Sequence, residues 1–112
     1  MDQEIIQFIG VKDLDEPEQA LVNKLATEHH AKIKRALRNI TSLVVHIKQY
    51  SKTGKEHKYS IHVRAIAPTR IFESTASEWD LAKSLHKAFN EIEHEIQHKL
   101  KTDSQWDKPY ER

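Results

Sequence analysis

The feature that most constrains this chain is a short strand-like segment that leads directly into a long amphipathic helix. Residues 70–75 have a strand-like pattern, and from Asp80 onward apolar residues recur every three or four positions. We predict that Ser77 caps this helix, that Asp80 completes a capping box and that the helix ends near Lys101. Its buried stripe is predicted to consist of Leu81, Leu85, Ala88, Phe89, Ile92 and Ile96, with Leu100 near the edge.

A first strand and a first helix are predicted at the start of the chain. The apolar run at residues 5–9 ends at Gly10 and reads as a strand, and residues 11–14 connect it to a helix. Asp15 is placed to cap this helix, with Pro17 in its first turn. The helix is predicted from Glu18 to about Arg35, with Asn39 beyond its end. Its apolar stripe comprises Leu21, Val22, Leu25, Ala26, Ile33 and Ala36.

Two alternating segments in the middle of the chain predict a hairpin. Residues 43–50 and 59–67 alternate between apolar and polar side chains, and the polar segment 51–56 between them turns at Gly54. The outward side chains are predicted to include His46, Lys48, Ser60, His62 and Arg64. The order is therefore β-α-β-β-β-α, an α+β fold with two helices packed on one face of a four-stranded, mainly antiparallel sheet.

Length and composition point to one small soluble domain. The 112 residues allow a single core, which we place at residues 1–101, followed by a flexible C-terminal tail at 102–112. The chain has no cysteine, which excludes disulfides and thiolate chemistry. Its acidic start does not resemble a signal peptide, and no apolar run approaches the length that spans a bilayer. We therefore predict a cytoplasmic protein without a membrane partner; the oligomeric state stays open.

The sequence gives no support for catalysis. It has no cysteine nucleophile, no phosphate-binding loop, no glycine-rich dinucleotide turn and no H-E-x-x-H motif. Gly10 and Gly54 are the only glycines, so close backbone contacts to a phosphate are not expected. We predict no catalytic residues, no cofactor and no small-molecule substrate.

Two parts of the sequence resemble the ribosome hibernation-promoting factors, also called ribosome-associated translation inhibitors. K-I-K-R-A-L-R-N-I-T-S-L-V-V-H-I-K at residues 32–48 is similar to the family's passage from the first helix into the second strand. The strand at residues 71–75, followed by Asp80-Leu81-Ala82 and Leu85, is similar to the family's Asp-initiated last helix. The likeness reaches to about residue 101 and is that of a short, single-domain form.

The resemblance implies a function in translation. Members of this family bind the small ribosomal subunit in the channel that messenger RNA and tRNA would occupy. They inhibit translation in idle ribosomes under stress, by binding and without catalysis. The implied partner of this chain is therefore small-subunit ribosomal RNA.

The helix faces opposite the apolar stripes indicate which residues would contact that RNA. At 100° per residue, both helices carry basic side chains on the outer face, and helices lying side by side would join them into one basic patch despite a net charge of only +1. Arg35 and Arg38 are the strongest candidates because arginine binds phosphate oxygens in bidentate fashion. The predicted RNA-binding residues are Lys24, Lys34, Arg35, Arg38, Lys83, Lys87, His94, His98 and Lys101.

The charged helix faces, the histidines and Trp79 also have simpler, structural interpretations. Charged residues opposite a core stripe are usually only a solvated face. His94 and His98 have a spacing that can hold a metal ion, but nothing clearly completes a site, and we predict none. His29 is expected to pack in the core, and His30 to face solvent. Trp79 is expected just inside the last helix, where it would pack the helix start onto the sheet; stacking on a base is the alternative.

Two other functions remain open from the sequence. The chain could be a non-catalytic protein-interaction module, pairing through an exposed edge strand or the aromatic tail with Trp106 and Tyr110. It could also bind double-stranded RNA, because a three-stranded antiparallel sheet with two helices on one face suits that task.

Overall fold

The computed structural model describes the backbone of residues 5–37, 42–51, 57–68 and 70–107. Side chains are described for residues 6–37, 42–50, 58–68 and 70–99. The predicted turn at Gly54 and the predicted helix end at Asn39 lie outside these ranges. The strands are β1 (Ile5–Ile9), β2 (Ser42–Ser51), β3 (His57–Ile66) and β4 (Ile71–Glu78), and the helices are α1 (Glu16–Leu37) and α2 (Leu81–Asp107), with a 3-10 turn at Val11–Asp13.

The four strands form one sheet in the order β1-β2-β3-β4. β1 and β2 run parallel, as expected for strands joined by a crossover helix, while the other two pairs are antiparallel. The predicted β-α-β-β-β-α order and the mainly antiparallel sheet are therefore confirmed. Within the described residues, no helix is long and apolar enough to cross a membrane.

Alternation along the strands places the core on one face of the sheet. Every second residue of β3 from Tyr59 to Ala65 is buried, and Ile61 and Ala65 pair with buried residues on both β2 and β4. On β4, Phe72 points inward and Ile71 outward. The predicted stripe of α2 is buried from Leu81 to Ile96, and the side chain of Leu100, predicted near its edge, lies outside the described residues. In the predicted stripe of α1, Val22, Leu25, Ala26 and Ile33 are buried, and Leu21 and Ala36 are partly buried.

Both helices begin at an aspartate that caps the first turn. The Glu18 amide donates to the Asp15 carboxylate at 3.0 Å, and the Asp15 amide donates back to Glu18 at 3.2 Å, so the capping box is at α1. At α2 the Ala82 amide donates to the Asp80 carboxylate at 3.0 Å. The predicted cap at Ser77 is wrong, because β4 continues to Glu78 and includes it.

The last helix differs from its predicted bounds at both ends. It starts at Leu81 and continues to Asp107, six residues past the predicted end near Lys101. Trp79 therefore precedes the helix instead of lying inside it, and its side chain is 49% exposed. The expectation that Trp79 lies inside the helix is wrong, while its ring does contact the sheet through Lys58 of β3. Periodicity located the apolar part of the helix, but residues 102–107 carry no apolar repeat that would have extended the prediction.

One hydrogen bond ties the start of α1 to strand β3. The Tyr59 hydroxyl on β3 donates to Glu18 Oε2 at 2.5 Å. Burial raises the pKa of Tyr59 above its ordinary value of 10.0, and the neighbouring Glu18 carboxylate raises it further. The neutral phenol is thus the form that the folded protein stabilises.

Substituting Tyr59 by phenylalanine should reveal this bond in the pH dependence of stability. We expect the variant to lose about 1–2 kcal/mol of unfolding free energy at neutral pH. Because folding raises the pKa, the difference from the parent protein should be complete below about pH 10 and decline as the pH rises through the folded-state value. Urea unfolding from pH 7 to 11 measures it. Tyr50→Phe, at an exposed tyrosine, is the control, and a pH-independent difference for Tyr59→Phe would contradict the assignment.

Gly10, at the end of β1, occupies a position that only glycine fits. Its φ of 87° lies in the left-handed region, and a Cβ there would collide with the backbone carbonyl of Ile47 on β2. We expect Gly10→Ala to lower the unfolding free energy by about 2 kcal/mol or more. Chemical denaturation measures the change. Gln7→Ala, at an exposed site on the same strand, should stay within about 0.5 kcal/mol; equal effects of the two would show that Gly10 is not constrained.

Candidate nucleic-acid interface

Helices α1 and α2 lie side by side and run in the same direction. The His29 ring stacks on Phe89, with centroids 4.6 Å apart and planes 2° from parallel. Its Nδ1 is hydrogen-bonded to Glu93 Oε2 at 2.5 Å. One turn further along α1, Ile33 lines a groove with Ile96 of α2. Contacts further toward the C-terminal end of α1 are also further toward the C-terminal end of α2, so the helices are parallel.

The two central histidines of α1 are both buried. His29 is 4% exposed and also meets His86 edge-on at 5.9 Å, so its predicted packing in the core is confirmed. The prediction that His30 faces solvent is wrong, since it is 6% exposed. His30 lies four residues after Ala26 and three before Ile33, and that spacing places it on the buried side of the helix.

The described residues of the predicted RNA-binding set are exposed on the two helices. On α1 these are Lys24, Lys34 and Arg35; on α2 they are Lys83, Lys87, His94 and His98. Arg38 lies outside the described residues. Lys101 lies within α2, but its side chain is outside the described part.

Helical geometry places the basic residues of α1 on two different flanks of the helix. Arg35 and Lys32 line the groove between the helices, together with Glu93 and Gln97. Lys34 is 100° around the helix from Arg35, on the flank away from α2. Lys24, eleven residues before Arg35, returns to nearly the same angle as Arg35. The groove has a volume of about 370 Å³.

On α2, one residue of the predicted basic stripe forms an ion pair with the sheet. Lys87 donates to Glu78 of β4 at 3.0 Å, which turns its charge toward the strand. Lys83 lies about 40° nearer to the groove around α2 than Lys87 does, and His94, seven residues after Lys87, lies about 20° nearer. We define the helical surface as the exposed residues Lys24, Lys32, Arg35, Lys83 and His94.

Acidic side chains reduce the positive charge of the helical surface. Glu93, which lines the groove, is hydrogen-bonded to His29 and is 21% exposed. Glu28 is exposed one turn before Lys32. The helical surface is therefore a narrow basic ridge and not a broad basic face, with its cations on either side of the partly buried His29–Glu93 pair.

Lys32 was not predicted from the sequence as part of the site. Its exposure follows from periodicity, but its proximity to Glu93 and Gln97 depends on which flank of α1 faces α2. That choice is set by the crossover from β1 to β2 and has no local sequence signal. The two strand histidines behave as expected: His46 and His62 are directly paired across β2 and β3, and His62 also bonds Glu73 at 2.9 Å.

The described residues contain no group of three histidine, aspartate or glutamate side chains arranged to hold a metal ion. His94 and His98 are both exposed on α2. The chemistry offered by the helical surface is therefore that of cations and hydrogen-bond donors for an anionic partner.

The fold was compared with known proteins. No protein-family model and no curated protein matches the sequence. Among solved structures, the fold is similar to a ribosomal subunit interface protein from Coxiella burnetii, with a TM-score of 0.54 and 16% sequence identity. The match covers 84% of this chain and 94% of that chain. This chain therefore shares its α+β architecture, with two helices on a four-stranded mixed sheet, with a ribosomal subunit interface protein.

Proposed function

We propose that this chain is a non-catalytic protein of the cytoplasm that binds ribosomes. The observation that carries the proposal is the fold likeness to a ribosomal subunit interface protein, which extends over 84% of this chain and 94% of the other. A likeness of that extent relates whole domains, since both helices and the sheet are included. The family resemblance of residues 32–48 and 71–85 points to the same class of protein.

In this proposal the helical surface binds ribosomal RNA of the small subunit. Lys24, Lys32 and Arg35 present cations along one flank of α1, with Lys83 on the adjacent ridge of α2. RNA phosphates attract such cations, and binding releases counterions, so affinity should fall steeply with salt. A ridge with few cations suits a partner that also supplies shape, as a folded ribosomal channel does.

Occupation of that site would inhibit translation. A domain seated in the channel of messenger RNA and tRNA excludes both by volume, which needs no reaction at the protein surface. The helical surface would hold it there in idle ribosomes and define its orientation. Lys34, Lys87 and His98, on the flanks of the ridge, would make secondary contacts.

A protein-interaction module with the same fold is the principal alternative. β4 pairs only with β3 among the described strands, so its other edge offers backbone groups to a partner strand. Binding of that kind depends on backbone hydrogen bonds and apolar contacts and should vary little with salt. Binding to duplex RNA alone would instead favour a double-stranded RNA binder.

Reversing charge on the helical surface tests the proposed function. We expect Arg35→Glu and Lys83→Glu each to weaken co-sedimentation with small subunits, and the double variant to abolish it at physiological salt. Each lost phosphate contact should lower the slope of log affinity against log salt by about one. Sedimentation with separated subunits at several salt concentrations measures both quantities.

Lys12→Glu provides a charge-matched control, because Lys12 is exposed in the 3-10 turn, outside the helical surface. It should bind nearly as the parent protein does. Circular dichroism establishes that each variant is folded. Equal binding by the folded double variant and the parent would reject the helical surface, and salt-insensitive binding would favour the protein-interaction module.

A further inference from the structure

The outer face of the sheet is a second candidate surface, on the side opposite the helices. Both helices pack on the inner face, and none of the described elements covers the outer one. Its described side chains include three cations, Lys48, Lys58 and Arg64, against one carboxylate, Glu73. Glu73 is engaged with His62 at 2.9 Å and lies 3.8 Å from Arg64. The remaining charge of this face is therefore positive.

Two exposed aromatic rings and a lysine form a row across one end of this face. Strand register pairs Tyr50 of β2 with Lys58 of β3. The pairing of Tyr59 with Glu78, extended by one residue, sets Lys58 beside Trp79. The Lys58 Nζ atom lies 5.7 Å from the centroid of the Trp79 ring, a cation–π contact. We call these three residues the aromatic row.

The rings of the aromatic row are open to solvent. Tyr50 is 52% exposed and Trp79 is 49% exposed, whereas Tyr59, the inward neighbour of Lys58, is 7% exposed. Neighbouring strands are about 4.8 Å apart, so the backbone positions of Tyr50 and Trp79 lie about 10 Å from each other, with the position of Lys58 between them. Each ring can therefore take a separate planar group, and the lysine is placed to meet an anion that joins them.

We infer that the aromatic row is a stacking site for unpaired bases of single-stranded RNA. Bases stack on exposed aromatic rings irrespective of sequence, while cations along the groove neutralise the backbone. Tyr50 would stack one base, Trp79 would stack another on the ring face that Lys58 does not cover, and the Lys58 ammonium would bind the phosphate between them. Lys48 and Arg64, further along the outer face, extend the path for the backbone. The positive charge of the face favours this occupant over an apolar protein segment, and the two exposed rings favour planar bases over the side chains of an acidic segment.

The site is independent of the proposed function, because it lies on the other side of the sheet. The test therefore uses the Arg35→Glu/Lys83→Glu protein, in which the helical surface is reversed. A labelled eight-nucleotide oligouridylate is titrated at low salt, and fluorescence anisotropy gives its affinity. We expect binding in this background, and a loss of about tenfold on adding Tyr50→Ala or Trp79→Ala.

Matched variants separate stacking from apolar contact. Trp79→Phe keeps an aromatic ring and should retain most of the affinity, whereas Trp79→Leu keeps apolar bulk and should lose as much as alanine. Ile71→Ala removes an equally exposed apolar side chain from the opposite end of the face and should bind as the background does. In a Trp106→Phe protein, Trp79 is the remaining tryptophan, and the oligonucleotide should quench its emission.

Three results would overturn the inference. They are no binding of the oligonucleotide by the background protein, equal affinities for Trp79→Phe and Trp79→Leu, and equal affinity for a duplex, whose bases cannot stack on the rings. Loss of ribosome binding by the background protein bears only on the helical surface. Conversely, the Tyr50→Ala/Trp79→Ala protein, with its helices unchanged, reports in the sedimentation assay on the proposed function alone.

Discussion

The one-sided burial of strand β3 is the constraint on which the rest of the structure depends. Its inward residues from Tyr59 to Ala65 are buried on the face of the sheet that carries the helices, and its outward residues from Lys58 to Arg64 stay in contact with water. A slip of one residue in register would exchange the two sets and place charged groups in the core. The same alternation therefore holds the helices on one side and leaves a basic, partly aromatic surface on the other.

The contact between His29 and the second helix determines the form of the helical surface. His29 fills the space between the two helices by stacking on Phe89, and it is hydrogen-bonded to the Glu93 carboxylate. The acidic group that lines the groove therefore already has a partner. Lys32 and Arg35 line the groove beside α2, because the contact of His29 with α2 determines which flank of α1 faces that helix. A near-neutral protein thus presents local positive charge through the placement of its residues and not through an excess of them.

The spacing of apolar residues predicted the features of the fold that depend on burial. It did not predict the features that depend on packing between elements. Both apolar stripes and the strand alternation followed from the spacing of apolar residues, because each element must bury one face. The start of α2 was misplaced because Ser77 fits a cap as well as a strand, and only the pairing of β4 with β3 decides between them. Lys32 and the burial of His30 were missed for a related reason: local spacing does not state which flank of a helix meets its neighbour.

The parallel arrangement of the two helices shapes the electric field of the molecule. Antiparallel neighbours cancel their macrodipoles, but these two add, so one end of the pair is positive and the other negative beyond what the side chains alone produce. The start of α1 carries Asp15, Glu16 and Glu18, which offset its positive end, whereas the start of α2 carries the capping Asp80 and no acidic residue in its first turn. The end of the helical surface near Lys83 is accordingly the more attractive to a polyanion, so the electric field of the helix pair grades the attraction from one end of the surface to the other.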